Sequence, residues 1–294
     1  MRSVLGDRRA IAVLLGPALL VYTLVMLVPM GWSLGYTFFK GNVIEGFTFG
    51  GLGNFEKLWH DPQAHSALWF TFEYALAVSA GQVLCGYLLA LLYVFVLRRS
   101  SAVVRTLVFF PVILPTVAVA LMFQKLFAVA PQNGLANIAL EGLGVHHGDW
   151  FASAGGSFVV LVVMDVWRSM GFYGVLIFAG LLDIPEETLE SARLDGATGW
   201  RLIRHIVLPL SAPVLLSSVV FSINGTLKVF DSVLALTNGG PGSGTTPLTL
   251  YMFRTAFSYG DYGYGSTIAS LLTVVCLGVT LVVFRFSRPD LTKG

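Results

Sequence analysis

Six stretches of this chain are each long and apolar enough to cross a lipid bilayer, and this bounds the fold more tightly than any other feature. The hydrocarbon core of a bilayer asks for about 20 consecutive apolar residues per helix. The stretches cover about residues 10–35, 70–97, 106–127, 156–182, 206–236 and 265–286. A soluble chain would carry charge on about a quarter of its residues; here 12% are charged and 55% are hydrophobic. The expected fold class is therefore all-α: a polytopic membrane protein with six transmembrane helices, forming one membrane domain over 1–294. The first stretch is too long, and lacks the small-residue cleavage site, to be a removable signal. It is read as a retained helix. Cys85 and Cys276 both fall inside apolar stretches and read as reduced thiols.

Lysine and arginine set the orientation. With six spans, one side receives Arg2, Arg8, Arg9, Arg98, Arg99, Arg105, Arg193, Arg201, Arg204, Arg285, Arg288 and Lys293, twelve of the 18 basic residues. The other side receives Lys40, Lys57, Lys125 and Arg254, while Arg168 and Lys228 lie within spans. Cytoplasmic loops carry the excess of basic residues. Both termini and the loop at about 183–205 are thus expected in the cytoplasm, with turn-rich loops at 41–54, 130–149 and 237–246 outside.

That cytoplasmic loop is far longer than a return turn needs. Asp183 with Glu186 three residues on has the pattern of a capping box, and Pro185 suits a first helical turn. Leu189, Ala192, Arg193 and Gly196 follow at helical spacing on one stripe. Gly196 suits the left-handed conformation that ends a helix. Thr198 is placed to cap a second short helix carrying Trp200, Leu202 and Ile203. On this pattern alone two readings stay open: a stiff knob projecting into the cytoplasm, or an amphipathic helix lying on the lipid.

The order Glu190, Ala192, Asp195-Gly196-Ala197, then Ile206 and Leu208-Pro209, resembles the EAA loop of the inner-membrane permeases of binding-protein-dependent ABC importers. The runs IFAGLLDIPEETLESARLDGA and LALTNGGPGSGTTPLTLYMFRTAF resemble the carbohydrate-uptake branch of that family, and the likeness extends from about Leu88 to the end. Ser191 stands where the family usually has alanine. The resemblance implies an ABC importer type I permease fold. It also implies a coupling loop, with Glu186, Leu189, Glu190, Ala192, Asp195, Gly196 and Ala197, that docks on an ATP-hydrolysing subunit. The implied partners are a second homologous permease subunit, an ATPase dimer and an extracytoplasmic solute-binding protein, in the cytoplasmic (inner) membrane of a bacterium or archaeon. ATP and Mg would sit on the ATPase; no cofactor is expected on this chain, and no nucleic acid partner.

Nothing in the sequence supplies hydrolysis. The run GGPGSGTT at 239–246 mimics a phosphate-binding loop, but Thr245 stands where its lysine belongs. The glycines fit a tight outer turn instead. His146 and His147 fall in an outer loop and read as solvated. No nucleophile, metal set or catalytic triad stands out, so the chain is expected to be a transport subunit and not an enzyme.

Ionisable residues at membrane depth cost about 2.5–3.5 kcal/mol and usually face a cavity or a partner. The fourth stretch carries Asp165, Trp167, Arg168 and Tyr173. The fifth carries Asn224, Lys228 and Asp231 at spacing that would put them on one helical face. Two readings stand side by side. In one, Asp165–Arg168 and Lys228–Asp231 are neutralising pairs that help pack helices. In the other, these faces line a pathway and bind sugar hydroxyls, with Trp167 and Tyr173 stacking on the rings. Glu73 and Lys125 read as solvated or snorkelling near an interface. The expected function is ATP-driven import of a sugar or oligosaccharide. The alternatives are a permease for another polar solute such as glycerol phosphate, or an ion-coupled secondary transporter.

Overall fold

The computed structural model describes residues 8–42, 44–97, 100–129, 132–145 and 148–286. Arg2, Arg98, Arg99, His146, His147, Arg288 and Lys293 lie outside them. Inside a bilayer every backbone polar group must be satisfied within the protein, and a helix does this without help from a neighbour. Among the described residues, five single helices are long and apolar enough to cross: α1 (Ala12–Tyr36), α3 (Pro62–Val96), α7 (Ala154–Leu182), α9 (Trp200–Thr226) and α12 (Tyr262–Phe286). A short hairpin, β1 (Phe39–Asn42) with β2 (Gly46–Phe49), and the helix α2 (Gly53–His60) stand between α1 and α3. Further helices are α4 (Ser101–Ile113), α5 (Thr116–Leu126), α6 (Leu135–Gly142), α8 (Glu186–Leu194), α10 (Asp231–Leu236) and α11 (Leu248–Phe253), with a single 3-10 turn at Trp150–Ala152.

The third apolar stretch is not one straight helix. α4 and α5 meet at a 97° bend. The cause is local. Proline disfavours a helical conformation in the residue before it, and Leu114, ahead of Pro115, is extended at φ −69°, ψ 141°. The fifth stretch is also corrected. Its helix stops at Thr226, residues 227–230 leave the helical path, and Asp231 opens a separate helix. Hydropathy hid that break because Leu227, Val229 and Phe230 are apolar. Prolines leave a second mark. Val28 donates to Thr23 O just before Pro29, and Leu208 donates to Ile203 O just before Pro209. In both places a one-turn widening accommodates a residue that has no N–H of its own and clashes with the preceding turn.

Two compact units divide the chain. One holds α1, the hairpin and α2 together with Tyr251–Thr273. Its loop region, expected to be merely turn-rich, is tied by Asn54, whose buried amide donates to Thr37 O and Phe39 O at 2.9 Å each. At the junction of α2 and α3 the Asp61 carboxylate accepts from the Tyr251 and Tyr264 hydroxyls and, at 2.8 Å, from Gln63 N–H. Partial burial works to raise its pKa, but these hydrogen bonds to the charged form outweigh burial and hold it below the usual aspartate value. The same burial, with the bond to Asp61, pushes the Tyr251 phenol well up.

The second unit comprises His65–Leu250 and the remainder of α12. One core cluster joins Phe70, Tyr74 and Val78 of α3, Val119 and Phe123 of α5, Val160, Leu161 and Met164 of α7 and Val233 and Leu236 of α10. The α4–α7 contact is close because Gly171 lets the Val108 carbonyl approach; a Cβ there would lie 2.1 Å from that oxygen. Gln124 of α5 donates to Ala235 O and Leu236 O at 3.0 and 2.7 Å, satisfying carbonyls that the short α10 cannot pair internally. Cys85 and Cys276 are free thiols.

Candidate functional site

The second unit holds a polar cavity of about 260 Å³ among α3, α7, α9 and the 227–232 segment. Asp165, 5% exposed, is its buried charge. Oδ2 accepts from the Tyr74 hydroxyl; Oδ1 accepts from Ser232 Oγ at 3.0 Å and from Arg168 Nε at 3.4 Å. Three donors from three elements meet the oxygens of a carboxyl group that burial would otherwise leave without hydrogen bonds. A second chain of hydrogen bonds runs beside it. Ser222 of α9 donates to Gln82 Oε1 at 2.6 Å, Gln82 Nε2 donates to Ser169 Oγ at 2.7 Å, and Ser169 donates to the Asp165 carbonyl. Ser79 and Thr226 pair at 3.1 Å.

The sequence-derived pathway residues separate here. Asp165, Arg168, Tyr173, Lys228 and Asp231 all border the cavity. Trp167 does not; its ring packs 5.6 Å from Phe123 at the apolar cluster. Asn224 is also elsewhere, donating to Val220 O and accepting from Thr280 Oγ1 at 3.1 Å. Asn224, Lys228 and Asp231 do not share one helical face, because α9 ends between the first and second of them. Asp165–Arg168 is an ion pair. Lys228 and Asp231 are exposed and, among the described residues, make no ion pair with each other. Tyr74, Gln82, Ser169, Ser222 and Ser232 were not singled out from the sequence. The only signal was the Ser222–Thr226 spacing, two hydroxyls on one face of a spanning helix.

The loop at about 183–205 is a bent peg. α8 ends in a Schellman motif: Ala197 N–H reaches Ala192 O at 2.9 Å and Gly196 N–H reaches Arg193 O at 3.1 Å. Gly196 takes φ +84° and Gly199 φ +53°, turning the chain into α9. The expected capping box does not form. Asp183 closes α7, and Pro185, which offers no capping side chain, stands at the start of α8. Thr198 does not cap with its side chain, and Trp200, Leu202 and Ile203 open the long α9 and are not a separate short helix. Glu186 and Glu187 in the first turn and Arg193 in the last complement the helix dipole instead.

The root of the peg is buried and its tip is not. Ala192, Leu202 and Val207 join Ala90, Tyr173, Ile177 and Leu181 in one apolar cluster, with Leu189, Ala197 and Ile206 packed against it. Arg193, on one stripe with Leu189 and Ala192 by its spacing, is exposed, since a long cation keeps its head in water. Glu186, Glu190, Asp195 and Gly196 are exposed. Leu194 and Trp200 present 89% and 69% of their surfaces, an apolar tip ringed by charge. Tyr173 belongs to this root cluster and also borders the polar cavity.

Comparison with known proteins decides the family. Residues 82–289 match the model of the binding-protein-dependent transport system inner membrane component. The chain belongs to that family. The permease is 30% identical to the probable ABC transporter permease protein YurN of Bacillus subtilis, over 92% of this chain and 93% of that one. It is 30% identical to the sulfoquinovosyl glycerol transport system permease SmoG of Agrobacterium fabrum, over 97% and 92%. It is 32% identical to the trehalose/maltose permease MalF of Thermococcus litoralis, over 75% of each. In fold it is similar to a chain of a bacterial ABC transporter that imports the acidic polysaccharide alginate, with a TM-score of 0.82 at 22% identity, covering 99% of both chains. The permease is thus a multi-pass inner-membrane transport subunit with the ABC importer permease fold. This removes the ion-coupled secondary transporter from the alternatives.

Proposed function

We propose that the permease is one half of the membrane pathway of an ATP-driven importer for a neutral sugar or oligosaccharide. A solute-binding protein delivers the cargo on the outer side, a second homologous permease completes the pathway, and an ATPase dimer binds the peg from the cytoplasm. Both termini and the peg face the cytoplasm in this reading, on the strength of the basic-residue bias. ATP and Mg belong to the ATPase. The named cargoes of its relatives, trehalose/maltose, lactose and arabinooligosaccharides, support a saccharide. Arg168 is matched by Asp165, and Lys228 by the charge of Asp231, which suits an uncharged cargo better than glycerol phosphate.

The observation that carries the mechanism is Tyr173, packed at once against the peg root and the cavity. Close-packed interiors transmit displacement. A peg moved by closure of the ATPases would shift α8 and the start of α9 against Tyr173, and so alter the cavity wall. Such coupling requires the two conformations to differ in affinity for ATPase and cargo.

The test is reconstitution with a cognate ATPase, second permease and solute-binding protein. Uptake of labelled oligosaccharide should require ATP and survive collapse of ion gradients. Replacing Glu190 by Ala together with Gly196 by Pro should lower coupled uptake at least about tenfold, equivalent to 1.4 kcal/mol. Nucleotide turnover and uptake unaffected by both changes would overturn the coupling assignment.

A further inference from the structure

An open groove of the second unit, about 460 Å³, runs between α4 and α7. Its two ends differ in chemistry. Arg105 and Thr106 line one end; Phe109, Phe110 and Ile113 of α4, with Val175 of α7, line the rest. From Arg105 to Ile113 the groove follows α4 for about 12 Å, most of the roughly 15 Å of hydrocarbon in one leaflet. Arg105 stands about one turn inside the start of α4. An arginine there ordinarily extends its head to water. This one is half-buried and held on an aromatic face, with its guanidinium carbon 4.1 Å from the centroid of the Phe178 ring. Nε donates to Ser101 O at 3.3 Å. The other guanidinium donors have no partner among the described residues, and no described carboxylate pairs with the charge.

From this arrangement we infer that the groove binds an anionic phospholipid of the cytoplasmic leaflet, with the phosphate at Arg105 and an acyl chain along Phe110 and Ile113. A cation drawn away from bulk water at membrane depth needs a counter-charge. The described chain offers none at this place, and the bilayer offers a phosphate. Guanidinium donors match phosphate oxygens in pairs. The passage from cation and hydroxyl to aromatic and aliphatic side chains follows a lipid from headgroup to tail. A helix of a second permease would suit the apolar stretch, but it would bury the Arg105 charge unless it carried a carboxylate at the same depth. The choice of leaflet rests on the orientation proposed above, which puts Arg105 on the basic, cytoplasmic side, where anionic lipids attract such residues. Phe178 also packs against the peg-root cluster. The headgroup therefore stands beside the part of the permease that the ATPases move in the proposed mechanism.

Native mass spectrometry of the complete importer, delipidated in detergent and titrated with dioleoylphosphatidylglycerol or dioleoylphosphatidylcholine, tests the site. The importer should hold phosphatidylglycerol in preference to phosphatidylcholine. Arg105→Gln should weaken the tightest phosphatidylglycerol binding about fivefold, the effect of one cation near an anionic surface, and leave phosphatidylcholine unchanged. Arg105→Lys should keep most of the preference. Ile113→Ser, at an exposed position that leaves the charge in place, should weaken phosphatidylglycerol binding as well and serves if Arg105→Gln does not assemble. Unchanged phosphatidylglycerol affinity in both Arg105→Gln and Ile113→Ser overturns the site, and is the result if a second permease covers the groove. Equal loss of both lipids in Arg105→Gln overturns it too, because charge would not be what selects the occupant. Binding in detergent is blind to orientation, so these failures strike the groove alone. Labelling of Ser100→Cys, at an exposed position, by a membrane-impermeant maleimide from outside intact cells would instead overturn the leaflet assignment together with the orientation on which it rests.

Discussion

Asp165 is where residue-level chemistry is most exposed to test. Its pair with the half-buried Arg168 is held by Tyr74 and Ser232 as well. Removing one partner of a buried pair leaves an uncompensated charge and costs about 3–5 kcal/mol, whereas replacing both can be nearly neutral. Asp165→Ala should therefore lower the thermal midpoint of the nanodisc-embedded protein sharply, and adding Arg168→Ala should restore part of the loss. A double variant no more stable than the single one would show that the carboxylate matters for Tyr74 and Ser232 and not for the arginine. Asp61 makes a separate prediction with a defined sign. Its folded pKa is depressed, so its contribution is fully present above the ordinary aspartate value of about 3.9 and is lost as pH falls through the lower folded value. Asp61→Asn should flatten stability against pH in that acid window, followed by unfolding midpoints at stepped pH. The sequence made Asp165 and Arg168 legible because charge inside an apolar run is conspicuous. Tyr74, Gln82 and Ser222 were not, since each is ordinary in a spanning helix and only three-dimensional convergence makes them a network.

Among the elements, run length located the long helices well, because a bilayer imposes its thickness on sequence. Breaks inside apolar runs were harder. Pro111 and Pro115 were visible, yet hydropathy continued smoothly across a 97° bend. The end of α9 at Thr226 was masked because Asn224, Lys228 and Asp231 fit one helical face, and the cap of α8 was misread because Asp183 already closes the preceding helix. Close packing between elements is testable through glycine. Gly171→Ala puts a methyl 2.1 Å from the Val108 carbonyl, a backbone atom that cannot swing aside. A loss of about 1–3 kcal/mol is expected from overpacking. Gly278 in α12 has no atom within 4 Å of the same added carbon. Alanine there should be neutral or stabilise by up to about 1 kcal/mol. Thermal midpoints of the two variants should move in opposite directions or differ clearly; equal shifts would mean that α4 yields at Val108.

For the whole molecule, the question is how a force applied at the peg reaches a solute it does not touch. The second unit offers a short route: Ala192, Leu202 and Val207 pack in the cluster that contains Tyr173, and Tyr173 is part of the cavity wall. Spatial continuity by itself is a weak argument for coupling; a perturbation that separates the two ends is a stronger one. Tyr173→Phe keeps the ring and its packing. Tyr173→Ala removes it, and truncating a buried aromatic typically costs about 3–5 kcal/mol with a cavity left behind. If the ring is the link, the alanine variant should bind the ATPase normally and hydrolyse ATP, yet move fewer sugar molecules per ATP, while the phenylalanine variant stays close to the unsubstituted ratio. Measuring uptake and phosphate release on the same proteoliposomes gives that ratio directly and separates uncoupling from simple loss of folded protein, which lowers both together. An alanine variant with the unsubstituted stoichiometry would place the route elsewhere in the cluster. The remaining way in is then α9 itself, which runs without interruption from the peg at Trp200 to Ser222 and Thr226 at the cavity.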